Sequence, residues 1–225
     1  MIDRPGETLE DVPSGRAHRT GPRMIVRYRD GTRMNHWFVA ILFFAAGLTG
    51  LAIFHPFFWP LTGLFGGGVW TRILHPFFGL VMVLGFLLMF FQFRKDNRWN
   101  ATDRAWVRNA GRMMRGDEEG MPPVGKYNAG QKAVFWVAAI CLLVLLVTGF
   151  VFWQPWFAPA FPVLAMRIAV LLHAIAATVL ILTIIVHIYA AIWIKGSIPA
   201  MTRGTVSEGW AKFHHPLWWR QVRDR

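Results

Sequence analysis

The sequence predicts an all-α membrane protein, a bundle of four transmembrane helices with both termini in the cytoplasm. Three observations predict it. The chain of 225 residues is 55% hydrophobic and only 16% charged, against roughly 25% charged in soluble domains. Four stretches, 36–54, 73–93, 133–153 and 168–194, carry almost no charge. Each reaches the ~20 apolar residues needed to cross a bilayer, where segments this long satisfy their backbone only as helices. The third observation is where the cations fall. Of 24 Lys and Arg, seven precede the first stretch, nine lie between 94 and 132 and six follow 194, leaving only Arg72 and Arg167 for the other side. Every Asp and Glu falls in the same three basic segments. This is the positive-inside pattern, and it accounts for the net charge of +12 as orientation rather than nucleic-acid binding.

Taken in order, residues 1–23 are polar and rich in Gly, Pro and Arg, and read as an N-terminal extension. They hold no apolar run that could be a signal peptide, so helix I is expected to be an uncleaved anchor. Residues 24–33 alternate apolar and basic side chains and lead into helix I. The outer loop 55–69 mixes Pro, Phe, Trp and three glycines, as an interfacial turn with an aromatic belt does. Helix II follows. Between 94 and 121, Trp99, Trp106, Val107 and Met113 break up a basic segment and predict a surface helix. Helix III is next, then a second outer turn over 152–162. Helix IV closes at Lys195-Gly196, a cation in the last turn followed by a helix-ending glycine. The sequence His214-His215-Pro216-Leu217-Trp218-Trp219 predicts a tail on the membrane surface. The domain division is therefore 1–23, 24–210 for the membrane domain and 211–225 for the tail. Cys141, the single cysteine, excludes a C-x-x-C-H haem attachment site and an intrachain disulfide. No internal repeat stands out except HPFF, at His55-Pro56-Phe57-Phe58 and His75-Pro76-Phe77-Phe78.

Four of the eight histidines lie in or at the ends of the apolar helices: His36, His75, His173 and His187. Ionisable groups at membrane depth mark functional sites. Helices I and III run outward, II and IV inward. His75 and His173 therefore share an outer level, and His36 and His187 an inner one. On helix IV, His173 and His187 are about 21 Å apart and only about 40° from sharing one face. Two ligands at each of two levels suit two flat macrocycles, whereas zinc takes three or four ligands at one point. The bundle is therefore expected to hold two b-type haems with bis-histidine ligation. Each histidine has a small residue four positions on (Ala40, Gly79, Ala177 and Ala191), on its own helix face. His55 instead has Trp59 and Pro60, and reads as an interfacial polar side chain. His18, His214 and His215 lie in polar or interfacial segments.

Three stretches carry a family resemblance: Arg72-Ile73-Leu74-His75-Pro76-Phe77-Phe78-Gly79; Val124-Gly125-Lys126-Tyr127-Asn128-Ala129-Gly130-Gln131-Lys132; and His187-Ile188-Tyr189 with Trp193-Ile194-Lys195-Gly196-Ser197. They resemble the cytochrome b (gamma) subunit of respiratory formate dehydrogenase, over about 24–219. The resemblance implies His75 and His173 on the outer haem iron and His36 and His187 on the inner. It implies a quinone reduced at Asn128, Gly130, Gln131 and His187. It further implies an iron–sulfur (beta) subunit and a catalytic formate dehydrogenase (alpha) subunit as partners in a bacterial inner membrane. Asn and Gln can hydrogen-bond a quinone oxygen, and Gly130 allows close approach. Asn128 with Gln131 is equally a capping box opening helix III. Arg72 and Arg167 stand either as propionate partners or as interfacial anchors.

The expected function is electron transfer from a periplasmic formate-oxidising partner to membrane quinone, as one subunit of an enzyme complex. Rival readings are the cytochrome b subunit of a hydrogenase or thiosulfate reductase, a histidine-using transporter, or a cofactor-free scaffold. A transporter would more often carry intramembrane carboxylates or broken helices, and the apolar stretches hold no acid.

Overall fold

The computed structural model describes residues 22–117 and 120–223. Of the expected N-terminal extension, only Pro22 and Arg23 are among them, and His18 lies outside. The element order is β1 (Met24–Val26), α1 (Asp30–Phe54), a 3-10 helix (Pro56–Phe65), α2 (Gly68–Phe93), α3 (Ala101–Arg108) and α4 (Ala110–Met114). There follow α5 (Ala129–Phe152), a short 3-10 turn (Ala158–Ala160), α6 (Val163–Trp193), α7 (Ser197–Thr202), β2 (Thr205–Ser207), α8 (Glu208–His214) and α9 (Pro216–Arg223). Among the described residues four helices are long and apolar enough to cross a membrane, α1, α2, α5 and α6, the four the sequence predicts. Each of the four begins a turn or more before its charge-free stretch, because helical hydrogen bonding continues beyond the charge-free core.

The bundle is two antiparallel hairpins, α1 with α2 and α5 with α6. In the first, α1 presses so close to α2 that a Cβ on Gly85 would sit 2.8 Å from Cγ2 of Val39. Small residues permit such approaches in lipid. Two polar bonds tie the same pair: Asn35 Nδ2 donates to the Gly85 carbonyl (2.9 Å) and Gln92 Nε2 to Thr32 Oγ1 (2.7 Å). The hairpins meet mainly through α2 and α5. There Phe90 stacks on Phe135 with centroids 5.6 Å apart, and Met82, Phe86, Cys141 and Leu142 form the core with Leu180. Outside, Ile41, Leu84, Leu88, Ile140, Leu143 and Val186 are each more than half exposed. Helices apolar on every side are built for hydrocarbon.

At the end of the bundle that carries the termini, the fold departs from a purely helical one. Strands β1 and β2 pair antiparallel, Met24 opposite Ser207 and Val26 opposite Thr205. Three-residue strands so far apart in sequence leave no local signal. With α7, α8 and α9 the ribbon forms a cap around Ala200, Val206, Ala211 and Trp218. The segment expected to rest on a membrane surface is thus packed against the start of the chain, and a boundary at 211 falls inside α8. Gly196, predicted to end the fourth helix, has φ +95° two residues past the helix cap, with Trp210 against it.

Arg27 is the hub of this cap. It is buried, with the rings of Tyr28, Tyr127, Trp210 and Trp218 4.7 to 5.9 Å from its guanidinium carbon. Its Nη2 donates to the Lys126 carbonyl (2.7 Å) and to Nε2 of His215 (3.2 Å). The other ring nitrogen, Nδ1 of His215, donates to the Gly125 carbonyl (2.8 Å). A second proton on His215 would have to face the guanidinium. Burial first, and Arg27 second, push its pKa down to about 3, well below the ~6.5 of a free histidine. Between these values the unfolded chain binds a proton that the cap refuses, so the contribution is complete above about pH 6.5 and is lost as pH falls towards 3. A shift of this size corresponds to roughly 3–5 kcal/mol. Intrinsic amide exchange slows as pH falls, so protection is the quantity to read: the protection factors of 205–223 should drop from pH 7 to pH 5, and His215→Asn should flatten that dependence.

The predicted surface helix appears as α3. Asn100 and Asp103 form its capping box, with bonds of 2.7 and 3.1 Å. It is held to α5 by a buried ion pair: Lys132 Nζ donates to Asp103 Oδ2 (2.8 Å) and to the Arg98 carbonyl (3.0 Å). Trp136 Nε1 adds a bond to the Asn97 carbonyl (2.9 Å).

Candidate functional site

The four helix histidines meet in the two pairs expected. His75 on α2 faces His173 on α6 near the loop end of the bundle, with ring centroids 6.3 Å apart. His36 on α1 faces His187 on α6 near the termini end, also at 6.3 Å. A first-row metal lies about 2.0–2.1 Å from an imidazole nitrogen, and the ring centre is about 1.1 Å further back. Two imidazoles on opposite sides of one iron therefore place their centroids roughly 6.3 Å apart. Both pairs match this spacing. Among the described residues no three His, Cys, Asp or Glu side chains converge, so each pair stands without a third candidate ligand.

Hydrogen bonds settle which nitrogen of the loop-end rings is available. His75 Nδ1 lies 3.1 Å from the Ala46 carbonyl and 3.1 Å from Thr49 Oγ1. The carbonyl only accepts, so Nδ1 carries the hydrogen and Nε2 keeps its lone pair, as metal ligation requires. His173 Nδ1 lies 2.9 Å from Thr148 Oγ1, whose own hydrogen goes to the Val144 carbonyl (2.6 Å). The histidine must again donate. At the termini end, Nδ1 of His36 is buried without a partner.

Among the glycines, those set against a histidine ring lie on the neighbouring helix. A Cβ on Gly50 would lie 3.0 Å from Cε1 of His75, and one on Gly149 would lie 3.5 Å from Cε1 of His173. Gly79 faces open space. An imidazole reaches across to the neighbouring helix, so the neighbour supplies the room. Thr49-Gly50 and Thr148-Gly149 form a second repeat, each in the helix preceding its histidine and 26 or 25 residues before it. That spacing was the available signal.

The two HPFF histidines separate as expected. His75 belongs to a pair. His55 is exposed beyond α1, where its Nδ1 accepts from the Phe57 amide (3.2 Å) and caps the 3-10 helix. Arg72 and Arg167 are exposed near the starts of α2 and α6.

At the termini end lies an open cleft lined by Trp106, Asn128, Gln131, Trp210, Phe213 and His215 among others. Asn128 and Gln131 form the capping box: Asn128 Oδ1 accepts from the Gln131 amide (2.9 Å) and Gln131 Oε1 from the Asn128 amide (3.0 Å). Both caps use the amide oxygens and leave the two NH2 groups outside the capping bonds. Gly130 is set against Trp106, whose ring would lie 3.3 Å from a Cβ there. His187 is not among the lining residues, although Ile194, seven positions on, is.

Residues 27–204 match the prokaryotic cytochrome b561 family. The chain is 47% identical over 199 residues to the formate dehydrogenase cytochrome b556(fdo) subunit of Escherichia coli (strain K12), covering 88% of this chain and 93% of that one. It is 44% identical over 200 residues to the nitrate-inducible cytochrome b556(Fdn) subunit from the same strain, covering 89% and 92%. The formate dehydrogenase cytochrome b556 subunit of Haemophilus influenzae (strain ATCC 51907 / DSM 11121 / KW20 / Rd) is 39% identical over 197 residues, covering 88% and 83%.

Proposed function

Because the chain belongs to the prokaryotic cytochrome b561 family, we propose that it is the membrane cytochrome b subunit of a formate dehydrogenase complex, delivering electrons from a periplasmic iron–sulfur partner to membrane quinone. The observation that carries this reading is the equal 6.3 Å spacing of the two histidine pairs. Bound b-type haem supplies one-electron redox chemistry at its iron. In this reading His75 and His173 hold one haem at the outer level, and His36 and His187 a second at the inner level. The apolar core around Phe86 and Leu142 keeps water from the space between the levels. Both termini and the cap lie in the cytoplasm of a bacterium whose inner membrane the four helices cross, since 22 of the 24 cations fall on that side.

Quinone enters the cleft beside the inner pair, where the free NH2 groups of Asn128 and Gln131 donate to a carbonyl oxygen. Its reduction takes up protons and electrons in equal number, with the protons drawn from the cytoplasm. Gly130 keeps Trp106 flush against the loop, and His187 acts from the far side as a ligand. On the outer side, Arg72 stands about 60° round α2 from His75, and Arg167 about 120° round α6 from His173. Arg72 therefore suits a haem propionate, and Arg167 an interfacial anchor.

The test separates cap from quinone contact. Asn128→Ser keeps a capping oxygen but loses the amide donor. In the assembled complex it should lower formate-to-quinone turnover about tenfold, equivalent to the ~1.4 kcal/mol of one hydrogen bond, with haem content unchanged. Turnover equal to wild type would remove Asn128 from the quinone site.

A further inference from the structure

The duplicated Thr-Gly pairs do more than fill space. Thr49 and Thr148 occupy the same place in the two hairpins: each hydroxyl gives its hydrogen to the carbonyl four residues earlier, Ala45 (2.7 Å) and Val144 (2.6 Å). Each oxygen is thereby turned, lone pair outward, towards Nδ1 of the histidine on the next helix. At His75 the Ala46 carbonyl, three residues before Thr49, faces the same Nδ1. The glycine that follows each threonine clears the ring edge at Cε1. Two helices unrelated by contact order thus present the same cradle to two rings of one pair. At the other level His36 Nδ1 is buried and unpartnered.

We propose that Thr49 and Thr148 are positioning residues that fix the tautomer and ring plane of His75 and His173 and, through Nδ1, make this pair the stronger electron donor to its iron. The proposal rests on the haem reading above and deepens it. A hydrogen bond accepted from Nδ1–H raises the basicity of Nε2, and a more basic axial ligand stabilises the oxidised iron and lowers the midpoint potential. Both threonines act on ligands of one iron, so their effects add at that iron and are absent at the other.

Redox titration of the purified chain, followed optically and by low-temperature electron paramagnetic resonance, tests this. Val matches Thr in shape without the hydroxyl, whereas Ser retains it. Thr49→Val and Thr148→Val should each raise one midpoint potential, the same one, and Thr49→Val/Thr148→Val should raise it further. The second potential should stay in place, and Thr148→Ser should restore the wild-type value. If the double variant keeps both haems with both potentials unmoved, or moves both equally, the positioning role is overturned. If the Val variants lose haem, Thr148→Ser decides: retention with the wild-type potential supports the role, and the same loss overturns it. A wild-type chain with fewer than two b-type haems would instead sink the haem reading itself, so the two failures are distinguishable.

Discussion

On the proposed ligation, His173→Ala should lower the haem content of the purified chain from two b-type haems to one, and the remaining haem should keep its midpoint potential. The variant removes half of the loop-end pair. His75, still turned by Thr49 and the Ala46 carbonyl, then has no imidazole opposite it. The termini-end pair lies about 21 Å away along α6, on different turns and with different neighbours, so it has no reason to respond. In the assembled complex, formate-to-quinone transfer should fall to background, because the outer entry point is gone. His187→Ala should produce the complementary loss. Should His173→Ala retain both haems, or lose only the termini-end one, the pairing of His75 with His173 would be wrong.

Lys132→Met should release α3 from the bundle. It leaves the Asp103 carboxylate buried, with its capping bond from Asn100 but without a counter-charge. Removing one partner of a buried pair is destabilising by about 3–5 kcal/mol, which corresponds to roughly 10²–10⁴-fold faster hydrogen exchange over 97–108. Asp103→Asn in the same chain removes the stranded charge and keeps an oxygen for the cap, so Lys132→Met/Asp103→Asn should recover most of the loss. Because Trp106 on α3 lines the cleft, the single variant should weaken quinone turnover while leaving haem content intact. Exchange at the wild-type rate in Lys132→Met would show that the pair contributes nothing to docking α3.

The histidine pairs were legible because depth in a membrane bundle is almost a property of sequence. Once four spans alternate in direction, the position of a histidine within its span gives its level, and 14 residues of α6 give the face. The Thr-Gly cradles were not read, although their residues are as regular. Spacing along one helix marks Gly79, whereas Gly50 lies against the His75 ring from the neighbouring helix, and only packing reveals which helix that is. The contest between cap and ligand at Asn128 also needed coordinates. Sequence offers two uses for one amide, while the structure commits its oxygen to the Gln131 N–H and leaves its NH2 unspent. The cap around Arg27 was least legible of all. Its partners, Lys126 and His215, come from 99 and 188 residues away, and β1 and β2, at three residues each, are too short to show a strand period.

The measurement that bears most directly on this account is the ratio of haem to protein in the purified wild-type chain, taken with its reduced-minus-oxidised spectrum. The paired histidines predict b-type bands, two haems per chain and no bound zinc. A ratio of one, or a colourless preparation from haem-replete cells, would contradict it.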